Sequence, residues 1–199
     1  MKEHSINKLN NFISAYYIDK KVCDDLINYF EMSPDKTPGM LYGTSKDGMV
    51  DKSKKSSTDV AVSIYQNINC VNRYLMELGK CTAEFKKQYM FCDKNHDPWN
   101  LCSVMNIQKY EPTESYSEWH CECSGLENIY RHLTYITYLN DVKEGGETEW
   151  YHQKIKIKPE KGLTVISGTT WQMVHRGLPA PKEKKYIATG NYGFIVNQW

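Results

Sequence analysis

This 199-residue chain has no apolar run near the ~20 residues that a membrane-spanning helix requires. Its first residues, Met1-Lys2-Glu3-His4-Ser5, lack the apolar core of a signal peptide. Charge of neither sign is in excess: 25 basic against 24 acidic residues leave +1. That balance gives no global reason to expect nucleic acid or an anionic membrane as partner. The seven cysteines are odd in number and contain no C-x-x-C pair, which argues against both a disulfide framework and a zinc cluster. With no secretion signal, reduced thiols in the cytoplasm are expected. No internal repeat or low-complexity block occurs, which excludes a solenoid.

What is present suits one well-cored domain spanning residues 1–199, with tyrosine the dominant aromatic. Residues 10–16 read as a short opening strand. Asp19 is a plausible N-cap for a helix whose stripe is Val22, Cys23, Leu26, Ile27 and Phe30. Ser33-Pro34 and Pro38-Gly39 stop it. From Ser33 to Thr58 the composition turns to Gly, Ser and Lys, which suits a solvated loop or a mobile lid. Val60–Ile64 suits a short strand or a helix lead-in. Ile68, Val71, Leu75, Leu78, Thr82, Phe85 and Tyr89 then predict a helix of about six turns, carrying packing rather than chemistry.

After Pro98 the period changes to two. Strands are expected at 103–110, 133–139, 154–158, 163–167 and 186–196, separated by Gly, Pro and Asn-Asp turns. Ile155 and Ile157 alternate with three lysines, so that strand has one wet face and belongs at an edge. The expected class is α+β, mainly β: a helical part over about 1–100, then a jelly roll, or double-stranded β-helix, over about 103–196. Lysine-rich edges argue against open-ended strand pairing and select no oligomeric state.

The chemistry gathers at Trp119-His120-Cys121-Glu122-Cys123. On a β-strand His120 and Glu122 would leave one face, with Cys121 and Cys123 on the other. His175 closes a later apolar run. Two histidines and a carboxylate are the facial ligand set of non-haem Fe(II) oxygenases. Isolated, either histidine would more often be packed or exposed without function. Cys92, His96 and Cys102 are too loosely spaced for zinc.

Several segments fall in one order: Tyr110-Glu-Pro-Thr-Glu-Ser-Tyr116-Ser-Glu-Trp-His120-Cys-Glu122, Arg131-His-Leu-Thr-Tyr-Ile-Thr-Tyr138-Leu-Asn140, Glu144-Gly-Gly-Glu-Thr148, His175-Arg-Gly-Leu-Pro179 and Lys185-Tyr-Ile-Ala-Thr189. This order resembles the prolyl 4-hydroxylase-like branch of the Fe(II)/2-oxoglutarate-dependent dioxygenases, over roughly residues 103–196. The resemblance implies His120, Glu122 and His175 as iron ligands. It further implies Lys185 as the cation for the distal carboxylate of 2-oxoglutarate, with Tyr138 a hydroxyl donor to that carboxylate and Tyr110 a donor nearer the metal. Thr189 shares the face of Lys185, Ile187 and Asn191 and would line the same pocket. Lys184 competes for the lysine role, and each tyrosine could equally be a core aromatic. The family usually carries Asp where Glu122 stands, so Asp at 122 is expected to work at least as well. Trp119 and Arg176 are candidate cleft walls.

The implied reaction is hydroxylation of a C–H bond with decarboxylation of 2-oxoglutarate to succinate and CO2. The cofactor set is Fe(II) and 2-oxoglutarate, with ascorbate as an accessory and O2 as oxidant. A prolyl residue of a protein or peptide is the first expectation for substrate. The alternatives are a free amino acid or other small molecule, and an inactive jelly-roll binding module.

Overall fold

The structure is a computed structural model that describes residues 3–4, 11–41 and 48–195. In chain order the elements are β1 (Glu3–His4), β2 (Ile13–Tyr17), α1 (Lys20–Met32), β3 (Thr37–Pro38), β4 (Thr58–Ser63), α2 (Asn69–Gln88), β5 (Trp99–Leu101), β6 (Val104–Tyr110), β7 (Arg131–Tyr138), β8 (Thr148–Trp150), β9 (Ile155–Ile157), β10 (Leu163–Gly168), β11 (His175–Gly177) and β12 (Lys185–Phe194). The large sheet runs β1-β2-β10-β7-β12-β6-β4-β3, with β5 also paired to β12. The small sheet runs β11-β8-β9. The pairings are antiparallel, and the whole is a jelly roll with supporting helices.

The helices form for the reasons the sequence shows. Asp19 accepts a hydrogen bond from the Lys21 amide at 2.8 Å and caps α1. In α2, Lys86 and Lys87 sit in the last turn, where the helix dipole favours cations. Leu26 and Phe30 of α1 and Tyr74, Leu78 and Phe85 of α2 pack on one face of the large sheet, against Met105, Tyr135 and Ala188. Strand alternation sends the next residues the other way. Ile136 and Tyr138 of β7 and Ile187 of β12 join Trp150, Ile155 and Ile157 in a second core. The sheet therefore has a helix-covered face and a face that holds the chemistry.

Three expectations need correction. The opening strand is Ile13–Tyr17 and not 10–16; Phe12 has φ of 60°, which turns the chain before it, and Asn10 lies outside the described residues. The first hundred residues are not simply helical, because β2 pairs with β10 and β4 with β6, both inside the large sheet. These short strands gain their partners from more than forty residues away, which local periodicity does not report. The described residues of 33–58 are paired and packed, unlike a solvated loop. Thr37–Pro38 pairs with β4, Leu41 bridges Met49, and Lys55 is buried against Asp59. Residues 42–47 of that segment, and the end of the expected last strand at 196, lie outside the described residues. The lysine-flanked strand narrows to Ile155–Ile157 and lies at the edge of the small sheet, as its alternation predicts.

Candidate metal centre

His120 and Glu122 do not lie on a strand. His120 makes one isolated bridge to His175, with amide-to-carbonyl distances of 3.0 and 2.9 Å. The chain then bends: Arg131 takes the Glu122 carbonyl, and the Cys123 amide donates to the Thr169 carbonyl at 2.9 Å. The expected alternation is lost with the strand, so Cys121 borders the same cavity as the histidines instead of facing away. Convergence comes from the bridge and the bend, not from pleat.

The result is a tight constellation. Glu122 Oε1 lies 3.9 Å from His120 Nε2 and 3.8 Å from His175 Nε2. The three ligand atoms lie within 4.8 Å of one another, the one such group of His, Cys, Asp or Glu among the described residues. His120 Nδ1 is 2.8 Å from the Glu118 carbonyl and His175 Nδ1 is 3.0 Å from that of Met173. A carbonyl only accepts, so each Nδ1 carries the proton and each Nε2 presents its lone pair to the gap. Burial, then the neighbouring imidazole of His175, push the His120 ring down to about 4, keeping it neutral at physiological pH. Burial works against the charge of Glu122. The Arg131 guanidinium, 3.1 Å from Oε2, outweighs it and holds the carboxyl below its usual range. Tyr116 stacks on His120 with centroids 3.7 Å apart and planes 8° from parallel, and Trp150 stacks on His175. Both rings are thereby fixed in orientation.

The triad opens on a cavity of about 280 Å³. Lys185, Ile187, Thr189 and Asn191 all line it, the parity expected of β12. Asn140 sets that parity: its side chain accepts from the Tyr186 amide at 2.7 Å and donates to the Lys184 carbonyl at 2.8 Å. Lys184 is left exposed, with its ammonium 3.7 Å from Glu111. Lys185 is 4 % exposed and donates to the carbonyls of Gly146 and Leu178 at 3.0 and 3.4 Å. Among the described residues no carboxylate forms an ion pair with it. Burial lowers its pKa to about 8, against a weaker opposite pull from Glu147. The Gly-Gly turn makes this possible. Gly145 and Gly146 have φ of +71° and +77°, and a Cβ on Gly145 would lie 2.5 Å from the Pro179 carbonyl.

Tyr138 also borders the cavity, and its hydroxyl donates to Thr148 Oγ1 at 2.6 Å. Tyr110 lies beneath Lys185, whose ammonium is 4.8 Å from its ring, and its hydroxyl donates to Gln108 at 2.8 Å. The ring on the metal side is that of Tyr116. Thr189 donates to the Tyr135 carbonyl at 2.8 Å. Trp119 and Arg176 are outside the cavity: the guanidinium covers the indole at 4.2 Å and pairs with Glu149 at 2.9 Å.

The donor set fits a metal. Two neutral imidazoles and a carboxylate approach from one side and leave the other side to the cavity, the pattern of non-haem Fe(II) sites. Residues 105–193 match the family model of the 2OG-Fe(II) oxygenase superfamily. Over these residues the chain is similar to that superfamily. The fold is similar to those of solved prolyl hydroxylases. A viral collagen prolyl hydroxylase from Paramecium Bursaria Chlorella virus-1 superposes with a TM-score of 0.63 at 20% identity, covering 92% of this chain and 97% of that one. A Pseudomonas putida prolyl-4-hydroxylase gives 0.68 at 15% identity over 93% and 94%. A Trichoplax adhaerens prolyl hydroxylase in complex with a hypoxia-inducible-factor peptide fragment gives 0.71 at 14% identity over 92% and 84%. At these identities the likeness is one of fold. No curated protein matches this chain in sequence.

Sequence reasoning left out several residues of this site. Tyr116 and Arg131 stood inside the matched segments without a role. Asp59 holds Lys55, Ser57 and Gln108 at 2.8, 2.7 and 3.0 Å and lines the cavity. Its only sequence signal was a polar pair at Lys55 and Asp59 that nothing marked as buried.

Proposed function

We propose that this protein is an oxygenase that hydroxylates a C–H bond with Fe(II) and 2-oxoglutarate, the substrate being a prolyl residue of a protein or peptide. One observation carries the reading: a convergent His-Glu-His set and a buried lysine with no ion pair among the described residues share one cavity. His120 Nε2, Glu122 Oε1 and His175 Nε2 would hold the metal. When bound, iron and 2-oxoglutarate supply the oxidising chemistry and yield succinate and CO2. The ammonium of Lys185 supplies the charge that a distal carboxylate lacks in a buried pocket. Tyr138 and Thr148 place hydroxyls at the same end. Tyr116 and Trp150 keep both imidazoles from rotating, and the stacked rings exclude water from one side of the triad.

The similar folds of three prolyl hydroxylases, one with a peptide bound, support a prolyl substrate. The polar wall of Asp59, Asn106 and Gln108 supports a second reading, a free amino acid. The facing of Glu122 Oε1 toward both histidines argues against an inactive binding module. Seven free thiols agree with a cytoplasmic setting, which belongs to the proposal. The test is incubation with Fe(II), ascorbate and 2-oxoglutarate alongside a His175→Ala control. Succinate above that control, with one oxygen gained on proline in a candidate peptide, is expected. Equal succinate in both would refute the reading.

A further inference from the structure

We propose that Arg131 makes Glu122 a one-oxygen ligand, which keeps three metal positions open although the carboxylate is a glutamate. The inference rests on the metal reading above. Its origin is an unusual pair of contacts. One nitrogen of Arg131, Nη1, donates to the Glu122 backbone carbonyl at 3.0 Å and to the Glu122 carboxylate at Oε2 at 3.1 Å. The guanidinium therefore bridges the two ends of one residue and fixes the side-chain torsions between them. Oε2 is turned toward Arg131, and Oε1 alone faces both histidine Nε2 atoms.

Arg131 is itself anchored. It opens β7, its carbonyl accepts from Thr169 Oγ1 at 2.8 Å, and among the described residues Glu122 is its one ion-pair partner. A glutamate needs this restraint. Its extra methylene gives it reach and freedom, and an unrestrained carboxylate can offer a metal both oxygens. With two histidines, that mode would fill four of six positions. A chelating 2-oxo acid would take the remaining two, leaving none for O2. Arg131 answers this by occupying the second oxygen, so it is a positioning residue and not a catalytic one.

The test loads the full chain with Mn(II) and counts exchangeable waters on the metal from the broadening of its paramagnetic resonance in 17O water. A six-coordinate ion held by one oxygen and two nitrogens keeps three waters, the result expected for the wild type. Arg131→Met should keep two, and its Mn(II)-loaded form should bind 2-oxoglutarate about tenfold more weakly. Adding Glu122→Gln to Arg131→Met should restore three, because an amide offers a single oxygen donor. Arg131→Gln, too short to span both oxygens, is the second variant should methionine unfold the chain, with two waters again expected. Three waters in a folded Arg131→Met or Arg131→Gln protein would overturn the inference and leave the metal site standing. Failure of the wild type to bind Mn(II) would overturn both.

Discussion

Replacing Lys185 by methionine should make the protein more stable and abolish its use of 2-oxoglutarate. The ammonium is 4 % exposed and its pKa falls from 10.5 to about 8. At roughly 1.4 kcal/mol per unit, holding that charge costs about 3 kcal/mol of folding free energy. The side chain recovers part through its bonds to the Gly146 and Leu178 carbonyls, at about 1 kcal/mol each. Methionine fills a similar volume without a charge, so the net gain is about 1 kcal/mol, or roughly 2–4 °C in Tm for a chain of this size. The pH dependence carries a second check. The folded-state pKa is depressed, so the cost is complete below about 8 and fades as pH rises from there toward 10.5. The wild type should therefore gain about 3 kcal/mol on the variant over that range, overtaking it by about 2 kcal/mol at the upper end. Calorimetry of the metal-free proteins at pH 7 and pH 10 measures both quantities. With Mn(II) bound, the variant should lose about 100-fold in 2-oxoglutarate affinity, the worth of a charged hydrogen bond of about 3 kcal/mol. A lower Tm at pH 7, or unchanged co-substrate affinity, would refute the assignment of Lys185.

Glu122→Ala and His175→Ala should each remove Mn(II) binding in calorimetric titration and reduce 2-oxoglutarate-dependent succinate to background. Glu122→Asp, expected from sequence to match or exceed the wild type, should instead weaken metal binding about tenfold. The shorter side chain should not span from Arg131 to the histidines, and a metal titration equal to the wild type would contradict this. Gly145→Ala forces a side chain into a left-handed φ of +71° against the Pro179 carbonyl, and a loss of about 1–3 kcal/mol in urea denaturation is expected. Residues 33–58 supply Thr37, Pro38, Met40 and Lys55 to the cavity. Proteolytic removal of the segment should slow substrate hydroxylation, measured by mass spectrometry, more than it slows substrate-free succinate formation.

The site was legible in the sequence because its ligands lie inside ordered local motifs. The spacing of His120 and Glu122, the later His175, and the period-two face of Lys185, Ile187, Thr189 and Asn191 are properties of neighbouring residues. The Glu144-Gly-Gly-Glu-Thr148 turn was readable for the same reason. The helices were readable from their stripes, with α1 capped where Asp19 predicts. The local geometry around His120 was not, since a strand was expected where the chain bends, and Cys121 changed sides with it.

Sequence alone determined which chemical groups this protein has and, through periodicity, which face of a helix or of β12 each would occupy. Those are short-range consequences of backbone geometry. Tertiary structure alone decided which groups meet. The sheet brought Lys55 and Asp59 to the same cavity as Lys185, the bridge to His175 turned His120 inward, and Arg131 closed on Glu122 nine residues before it. Such contacts depend on strand register and chain bends set by distant partners, and no local pattern encodes them.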